Sequence, residues 1–589
     1  MKATSNSDNQ YFHKVVDCQW ACPAHTPVPE YIRQIAAGRY DDAYMLNWES
    51  NVFPGILGRV CDRPCEPACR RGRVDEEPVA ICRLKRVAAD NRGDISHRLP
   101  VIPDNKNGKR LALIGAGPAS LTVARDLMPL GYDIDLFDSG YKGGGMMVSQ
   151  IPSFRLPASV LDEEVDMILN MGVVSHFKHN VESMKDLITK DYDAIFVGTG
   201  APKGRDISLP GREEAREHIH VGIDWLASVA FEHTHKIGKN VIILGGGNTA
   251  MDCCRTSRRL GGDSVNVVVR SGYDEMKASP WEKEDALMED VQIHNFLVPE
   301  EFIHEEGTLT ALRFQKVKAE YENGRRKLVA TGEEDVIIEC DDVLIAIGQQ
   351  NSFPWIEEDA GIEFNDWGLP VVNEQTHQSS LDNIFFGGDS AFGPKNIIWA
   401  VEHGHQAAIS IHKFCQGENL DSRPDLIVDR SMQKMGMHEW IYDNDISNDE
   451  RFKVPHADKA ATLLNPKMEV ELGFNEQLGL GEAIRCLNCD IQTIFSDKLC
   501  IECDACMDIC PTTCISFVKN AEEDELRLTL KAKAENLDQA LMVSQLLKTQ
   551  RVMVKDEDLC LHCGLCAERC PTSAWDMQKI LITTAKAGA

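Results

Sequence analysis

The stretch KRLALIGAGPASLTVARDLMPLGYDIDLFD, residues 109–138, decides the fold. An apolar run ends in a glycine-rich turn, an amphipathic segment follows, and a second apolar run closes on an acid. That order reads strand, turn, helix, strand. Gly115 and Gly117 let the backbone approach a pyrophosphate at the helix N-terminus, which Pro118 and Ala119 open. Position six of the fingerprint is Ser120 instead of Gly or Ala, a departure. Asp138 ends the second strand, 23 residues after Gly115, where an acid hydrogen-bonds a ribose hydroxyl. Such a motif alone is weak, and the surrounding strand–helix–strand context gives it weight.

Residues 239–270, KNVIILGGGNTAMDCCRTSRRLGGDSVNVVVR, repeat the pattern. Gly245, Gly247 and Ala250 form G-x-G-x-x-A, with Asn248 and Thr249 opening the helix. Arg270, not an acid, closes the second strand. An arginine there accepts a 2′-phosphate, which favours NADPH over NADH. The adjacent Cys253 and Cys254 face different ways from a helix and read as packing. Two dinucleotide turns in one chain point to a flavoprotein reductase whose first unit is completed late, at LDNIFFGGDSAFGPKNIIWAVEHGHQAAISIHKF, residues 381–414. Asp389, after Gly388, is placed to bind a ribityl chain. The helix beginning near Asn396, with Ile397 in its first turn, aims its positive end at the flavin ring.

The C-terminus carries a different chemistry. CIECDACMDICP places Cys500, Cys503, Cys506 and Cys510 in the run C-x2-C-x2-C-x3-C-P, and CLHCGLCAERCP repeats it with Cys560, Cys563, Cys566 and Cys570. This is the bacterial two-cluster ferredoxin signature, in which the fourth cysteine of each run ligates the other cluster. One 4Fe–4S cluster is therefore expected on Cys500, Cys503, Cys506 and Cys570, and another on Cys560, Cys563, Cys566 and Cys510. Structural zinc is disfavoured, because zinc sites rarely use four cysteines this close in sequence. Between the runs, ENLDQALMVSQLLKTQ has Leu and Met at helical spacing, which predicts a packing helix.

Composition narrows the class. The 589 residues allow several domains, and 43% are hydrophobic. The formal net charge of −30 argues against nucleic acid as a partner, since phosphate contacts need clustered Lys and Arg. The N-terminus shows no apolar signal segment, and no apolar run approaches the length of a membrane span. The 21 cysteines fall largely at metal-ligand spacing, which predicts reduced thiols and a cytoplasmic protein.

GGGMMVSQIPSFRLP (143–157), GTGAPKGRDISLPG (198–211), GGGNTAMDC and GGDSAFGP, taken in order, resemble the small subunit of NADPH-dependent glutamate synthase. They are also similar to the N-terminal half of dihydropyrimidine dehydrogenase and to the large subunit of the bifurcating NADH-dependent ferredoxin:NADP reductase. The resemblance covers roughly residues 15–490. It implies FAD at the first turn, with Gly144, Gly145, Gly200 and Arg155 beside the flavin nucleotide, and NADPH or NADH at the second turn, with Gly348 near it. The positions matching the extra 2′-phosphate arginines of dihydropyrimidine dehydrogenase look like Asp263 and Ser264, which opposes the inference from Arg270.

The same resemblance implies a helical N-terminal domain with two 4Fe–4S clusters. Of the first ligand group, C-x2-C-x4-C-x3-C-P, only Cys18 and Cys22 are present; the other two positions fall at Gln10 and His13. Cys61, Cys65 and Cys69 supply the second group, and Cys82 lies near where relatives use Gln or Glu. EAIRCLNC, residues 482–489, looks like the missing piece, moved beyond the reductase. Cys486 and Cys489 would then join Cys18 and Cys69, and Cys22, Cys61, Cys65 and Cys82 would hold the other cluster. The alternative is that the 486–489 pair is exposed, or forms a zinc or partner site.

The expected architecture is multidomain α/β. A helical iron–sulfur domain spans 1–107, an FAD domain 108–215 and 350–416, and an NAD(P) domain 216–349. A connector spans 417–490, and an α+β ferredoxin domain 491–589. The expected function is electron exchange between NAD(P)H and a ferredoxin or ferredoxin-dependent enzyme, within a hetero-oligomer and without a side-chain acid or base. A 2-oxoacid:ferredoxin oxidoreductase is one such partner. The alternatives are a glutamate synthase small subunit, an electron-bifurcating subunit and an assembly subunit with a vestigial nicotinamide site.

Overall fold

A computed structural model gives the structure of the chain and describes residues 1–322, 325–432, 434–436, 439–440 and 446–589; the rest of the connector and of the NAD(P) segment lies outside the described residues. Two five-stranded parallel sheets form the centre. In the first, Ile384–Phe386, Ala194–Val197, Arg110–Ile114, Asp133–Asp138 and Val174–Phe177 lie side by side in that order. In the second the order is Ile219–Val221, Asp342–Ile345, Asn240–Leu244, Ser264–Val268 and Gln292–His294. The apolar residues of Arg110–Ile114 and Asn240–Leu244 are buried, as parallel strands covered on both faces require. The second unit is inserted into the first, and the two crossings between them pair as an antiparallel ribbon, Lys203–Gly204 with Gln349–Gln350. An antiparallel sheet built on Leu297–Glu305 and Thr308–Glu322 is appended to the second unit.

The helix Pro118–Leu127 packs on Ile397–Gln416, which completes the first unit. Gly404 makes that approach possible: a Cβ there would lie 2.6 Å from both the Ala119 carbonyl and the Thr122 Cβ. Ser120, the odd residue of the first fingerprint, is accommodated opposite Gly198, whose missing Cβ would stand 2.4 Å from the Ser120 Oγ.

The N-terminal region is helical, with Val28–Ala36, Tyr40–Asn51, Pro54–Val60 and Ile81–Asn91 as its larger members. Its core includes Val28, Tyr31, Ile32, Ile81 and Leu84, and also Ala483, Cys486 and Cys489 from far along the chain. That return is pinned by buried charge. The Glu482 carboxylate, at the end of Glu476–Ala483, accepts from the Ala80 amide at 2.8 Å, the Phe452 amide at 2.9 Å and Arg485 at 2.8 Å. Fully buried Arg485 also donates to the Pro78, Glu77 and Asp449 carbonyls.

The C-terminal region has two antiparallel sheets. Trp575–Thr583 pairs with Ile491–Phe495 on one side and with Ile427–Met432 on the other, so the connector contributes a strand. Ile515–Lys519, Arg551–Lys555 and Met542–Val543 form the second. The segment 535–550 is therefore not the helix that its Leu and Met spacing predicted. Leu541, Met542 and Val543 are buried consecutively, and Met542 and Val543 pair along Lys555 and Val554. A short apolar run does not distinguish a buried strand from a helix by periodicity, and here the free edge of Arg551–Lys555 captures it. No helix among the described residues is long and apolar enough to cross a membrane.

Arg485→Ala should destabilise the N-terminal region by about 3–5 kcal/mol, the usual cost of stranding one partner of a buried pair. Differential scanning calorimetry should show the first unfolding transition moving to lower temperature.

Candidate functional site

Each nucleotide turn sits at the carboxyl end of a central strand. After Arg110–Ile114 the chain turns through Gly115, at φ +92°, and Gly117 into a helix whose first N–H groups carry no side-chain cap. A Cβ on Gly117 would find nothing nearer than the Gly198 carbonyl at 3.8 Å. Uncapped donors facing open space suit a dinucleotide pyrophosphate. Asp138 accepts from the Ala116 and Gly140 amides, both at 2.6 Å, and so holds two loops around this mouth. The structure brings further predicted residues to it. The Gly144 amide donates to the Ala116 carbonyl at 2.8 Å, and a Cβ on Gly145 would stand 3.0 Å from the Gly117 Cα. Gly200 follows Thr199, which abuts Gly115, and Gly388 faces Ala119. Asp389 is pushed up to about 6 by burial, against the Lys395 amide that donates to it at 3.0 Å. Ile397 opens the 20-residue helix, whose N-cap Asn396 accepts from the Trp399 amide.

The second turn is built alike. Gly247 precedes an uncapped helix, Asn248–Arg259, which begins with Asn248, Thr249 and Ala250. Asn248 is turned aside, its Oδ1 accepting from the Ser279 amide at 2.8 Å. Ala346, two residues before Gly348, abuts Gly245, and the Gly348 carbonyl accepts from the Arg205 amide at 2.9 Å. Arg270 lies just past the carboxyl end of Ser264–Val268 with an exposed side chain. Asp263 and Ser264 do not stand where the sequence comparison put them. They lie at the entrance of that strand, where Ser264 pairs with Asn240, four residues or about 13 Å from the turn end. They cannot oppose Arg270 at a 2′-phosphate. Arg155, expected beside the flavin nucleotide, is paired with Asp252 at 2.6 and 2.8 Å and with Glu282. It ties the first unit to two helices of the second.

The cysteines gather in four sets. Cys18, Cys69, Cys486 and Cys489 line one cavity, Cys500, Cys503, Cys506 and Cys570 a second, and Cys510, Cys560, Cys563 and Cys566 a third. Cys22, Cys61, Cys65 and Cys82 face buried Lys85, for which no carboxylate partner occurs among the described residues. Burial works to lower the Lys85 ammonium, yet the four thiols carry it above the ordinary lysine range. Cys61, together with Arg63, Arg83 and Lys85, holds the Cys82 thiol down to about 6 despite burial. A buried, unpaired ammonium facing four thiols fits a site that carries negative charge. Sulfur spacing suits a larger inorganic core better than a single zinc ion. Tetrahedral Zn–S bonds bring sulfurs to about 3.8 Å of one another. Among the described residues, the only three donor atoms lying within 4.8 Å of one another belong to Glu557, Cys560 and His562. The thiol sets leave room for a larger inorganic core, as 4Fe–4S clusters need.

Some features were invisible in the sequence. Cys514, which has no ligand spacing, lines the third cavity with its Sγ 3.5 Å from that of Cys510. The loop between Cys61 and Cys65 reaches both nucleotide units. Asp62 accepts from Ser279 at 2.7 Å and from Asn396 at 3.1 Å, and Arg63 stacks on Trp281 at 4.0 Å.

Comparison with known proteins agrees with this division. A family model described as pyridine nucleotide-disulphide oxidoreductase matches residues 109–404. The model for dihydropyrimidine dehydrogenase domain II, 4Fe-4S cluster, matches 5–95, and that for the 4Fe-4S dicluster domain 499–574. The chain is 32% identical to the NADP(+)-dependent formate dehydrogenase subunit beta of Moorella thermoacetica over 502 residues, 80% of this chain and 70% of that one. It is 29% identical to the NADPH-Fe(3+) oxidoreductase subunit beta of Geobacter sulfurreducens over 519 residues, 81% and 76% of the two chains. With the glutamate synthase (NADPH) small chain of Azospirillum brasilense it shares 30% identity over 420 residues, 68% and 86%.

Replacing Cys486 and Cys489 together by serine should lower bound iron by about four atoms per chain while leaving the flavin complement intact. Iron and flavin assays on the anaerobically purified variant check this, and unchanged iron would remove the pair from the ligand set.

Proposed function

The chain belongs to the pyridine nucleotide-disulphide oxidoreductase family and is an NAD(P)H-dependent FAD/iron–sulfur oxidoreductase, and from that premise we propose that it exchanges electrons between NADPH and a ferredoxin or ferredoxin-type partner enzyme as the flavin subunit of a larger complex. When bound, FAD and the clusters supply hydride acceptance and single-electron transfer, and the protein supplies position and electrostatics. The first turn, with Gly115, Gly117, Asp138 and Asp389, would hold FAD. The second, with Gly245, Gly247 and Arg270, would hold NADPH. The four cysteine sets would hold four 4Fe–4S clusters.

The continuity of these sites carries the reading. The Cys61–Cys65 loop touches the N-cap of the flavin helix through Asp62 and Asn396, and the second unit through Asp62 and Ser279. The set holding Cys82 shares the N-terminal helices with the set holding Cys486. Residues Ile491–Phe495, just after Cys489, are already a strand of the C-terminal region. There Cys503 is exposed, flanked by exposed Ile501, Leu499 and Ile509, an apolar exit for electrons toward a partner. The names of the Moorella and Geobacter relatives, which call those proteins beta subunits and cite NADP(+) or NADPH, support a hetero-oligomer and the NADPH preference. The twenty-one free cysteines support a reducing compartment, the cytoplasm. The motifs that resemble the glutamate synthase small subunit cover roughly residues 15–490, so a function of that kind would give no task to the two cysteine runs beyond them.

The isolated chain should reduce a viologen dye at the expense of NADPH. Arg270→Ala should raise the NADPH KM by about tenfold, the scale of one charge-assisted hydrogen bond, with NADH little changed. Steady-state kinetics with both nucleotides decide it: equal effects would remove Arg270 from the 2′-phosphate, and no dye reduction would overturn the oxidoreductase direction proposed.

A further inference from the structure

Arg70 is among the largest fully buried side chains of the molecule. It follows Cys69, a member of the set Cys18, Cys69, Cys486 and Cys489. Its Nε and one terminal nitrogen bind the Asp17 carboxylate at 2.8 and 2.7 Å, and Asp17 directly precedes Cys18. The same side chain donates to the Val15 carbonyl at 3.1 Å. Its other terminal nitrogen donates to the Cys560 carbonyl at 2.5 Å and meets the His562 Nε2 at 2.9 Å. Cys560 belongs to a different set, with Cys510, Cys563 and Cys566. One planar guanidinium, on the residue that follows Cys69, thus contacts the residue that precedes Cys18 in the same site and the peptide group of a thiol in another. A lysine could not span these partners, because they demand the rigid fork. The charge is met by one paired carboxylate, Asp17, with Glu557 acting from further off. Arg33, by comparison, is held between Asp490 and Glu30, whereas Arg70 has the single carboxylate of Asp17, which also stands 3.9 Å from Arg73.

We propose that Arg70 is a positioning residue that couples the Cys18/Cys69/Cys486/Cys489 site to the Cys510/Cys560/Cys563/Cys566 site, fixing their separation and setting both reduction potentials together. The proposal rests on the cluster assignment under Proposed function. An electron arriving at either site adds one negative charge, and the electron leaves the neighbouring site as it does so. A buried cation between them favours the reduced state of both, and cluster potentials follow local charge and hydrogen bonding. Equal bias on the two sites leaves the step between them nearly level while making both easier to reduce.

The test uses the full chain, purified without oxygen, as wild type and as the Arg70→Gln, Arg70→Lys and Asp17→Asn variants. Iron content is measured first. Wild-type iron well below about sixteen atoms per chain would count against the four-cluster reading itself. Redox titration followed by electron paramagnetic resonance, and stopped-flow reduction by NADPH, then test Arg70. With Arg70→Gln, two cluster signals should move together to lower potential. Electron arrival at the C-terminal clusters should slow roughly tenfold or more, the usual scale for losing an outer-shell partner. Flavin reduction should be unchanged. Arg70→Lys keeps the charge without the fork, so the potentials should return toward wild type while the transfer rate recovers only in part. Asp17→Asn keeps the guanidinium and removes its counter-charge, so the same two signals should move up; this arm decides the matter if Arg70→Gln loses iron. Full iron with no shift, or a shift of one signal alone, would overturn the proposal.

Discussion

Arg33 lies fully buried on the helix Val28–Ala36, with its guanidinium clamped by Asp490 and Glu30. Asp490 follows Cys489, so this ion pair fixes where the last thiol of the returning segment can stand. The pair is costly to bury and costlier still to break, since removing one partner strands a charge in a medium that solvates it poorly. Asn488 adds a contact to Arg33 at 3.3 Å, and Arg485 with Glu482 forms a second pair of the same kind one turn earlier. Arg33 is 455 and 457 positions from Asn488 and Asp490, and the Glu482–Arg485 pair reaches 402 and 407 positions back to Ala80 and Pro78. These contacts force the chain, after completing both nucleotide units, to come back to the helices on which it began.

Much of the remaining architecture follows from that return. The Asp490 carbonyl accepts from the Ile580 amide at 2.9 Å, and the next residue begins a strand of the C-terminal sheet. There is no linker between the Cys486–Cys489 pair and the C-terminal domain, so the domain cannot swing on a tether. Further contacts close the joint: Gln19 donates to the Ile582 carbonyl at 2.6 Å, and Arg73 pairs with Asp558 at 2.9 Å. A ferredoxin carried on a flexible linker would sample many distances from its donor. Here the same ten residues line a thiol cavity with one end and build the neighbouring domain's sheet with the other. The C-x2-C pair, at this position, stands at a structural joint as well as at a thiol cavity.

The fold class was legible because its signals are local. A glycine-rich turn between two apolar runs needs only thirty residues to be recognised, and the two cysteine runs need twelve each. The failures were also local in origin. Segment 535–550 carries an apolar run that suits either element, and the open edge of Arg551–Lys555 chose the strand. Asp263 and Ser264 were matched by sequence position without regard to which end of their strand faces the turn. Arg155 is placed beside the flavin nucleotide by the family resemblance, which does not show the two carboxylates of the other unit that pair with it. What no reading of the sequence could supply is the set of groups assembled by long-range packing. Cys514, Lys85, Arg70 and the Asp62 bridge acquire their significance only when elements remote in sequence meet around them.

Charge sorts these groups further. The chain as a whole carries a formal net charge of −30, yet the buried surroundings of the thiols are rich in cations. Arg63, Arg83 and Lys85 surround one set, Arg33 and Arg70 flank another, and Lys555 stands beside Cys560. Several of these are fully or almost fully buried. Lys85 in particular has no carboxylate to meet its charge among the described residues, so neutral thiols would leave it as an uncompensated ion in the core. Four thiolates around an iron–sulfur core would supply the missing negative charge. Metal binding to deprotonated ligands is then also folding free energy, and it falls where the N-terminal helices meet the returning segment. The nucleotide units have their own sheets and need no such counter-charge. The first unit is nevertheless not independent of the helices that hold the thiols: Phe53, Ile56 and Leu57 share one core with Leu111, Leu113 and Leu121, so filling the thiol sites and packing this nucleotide unit are linked through the same helices.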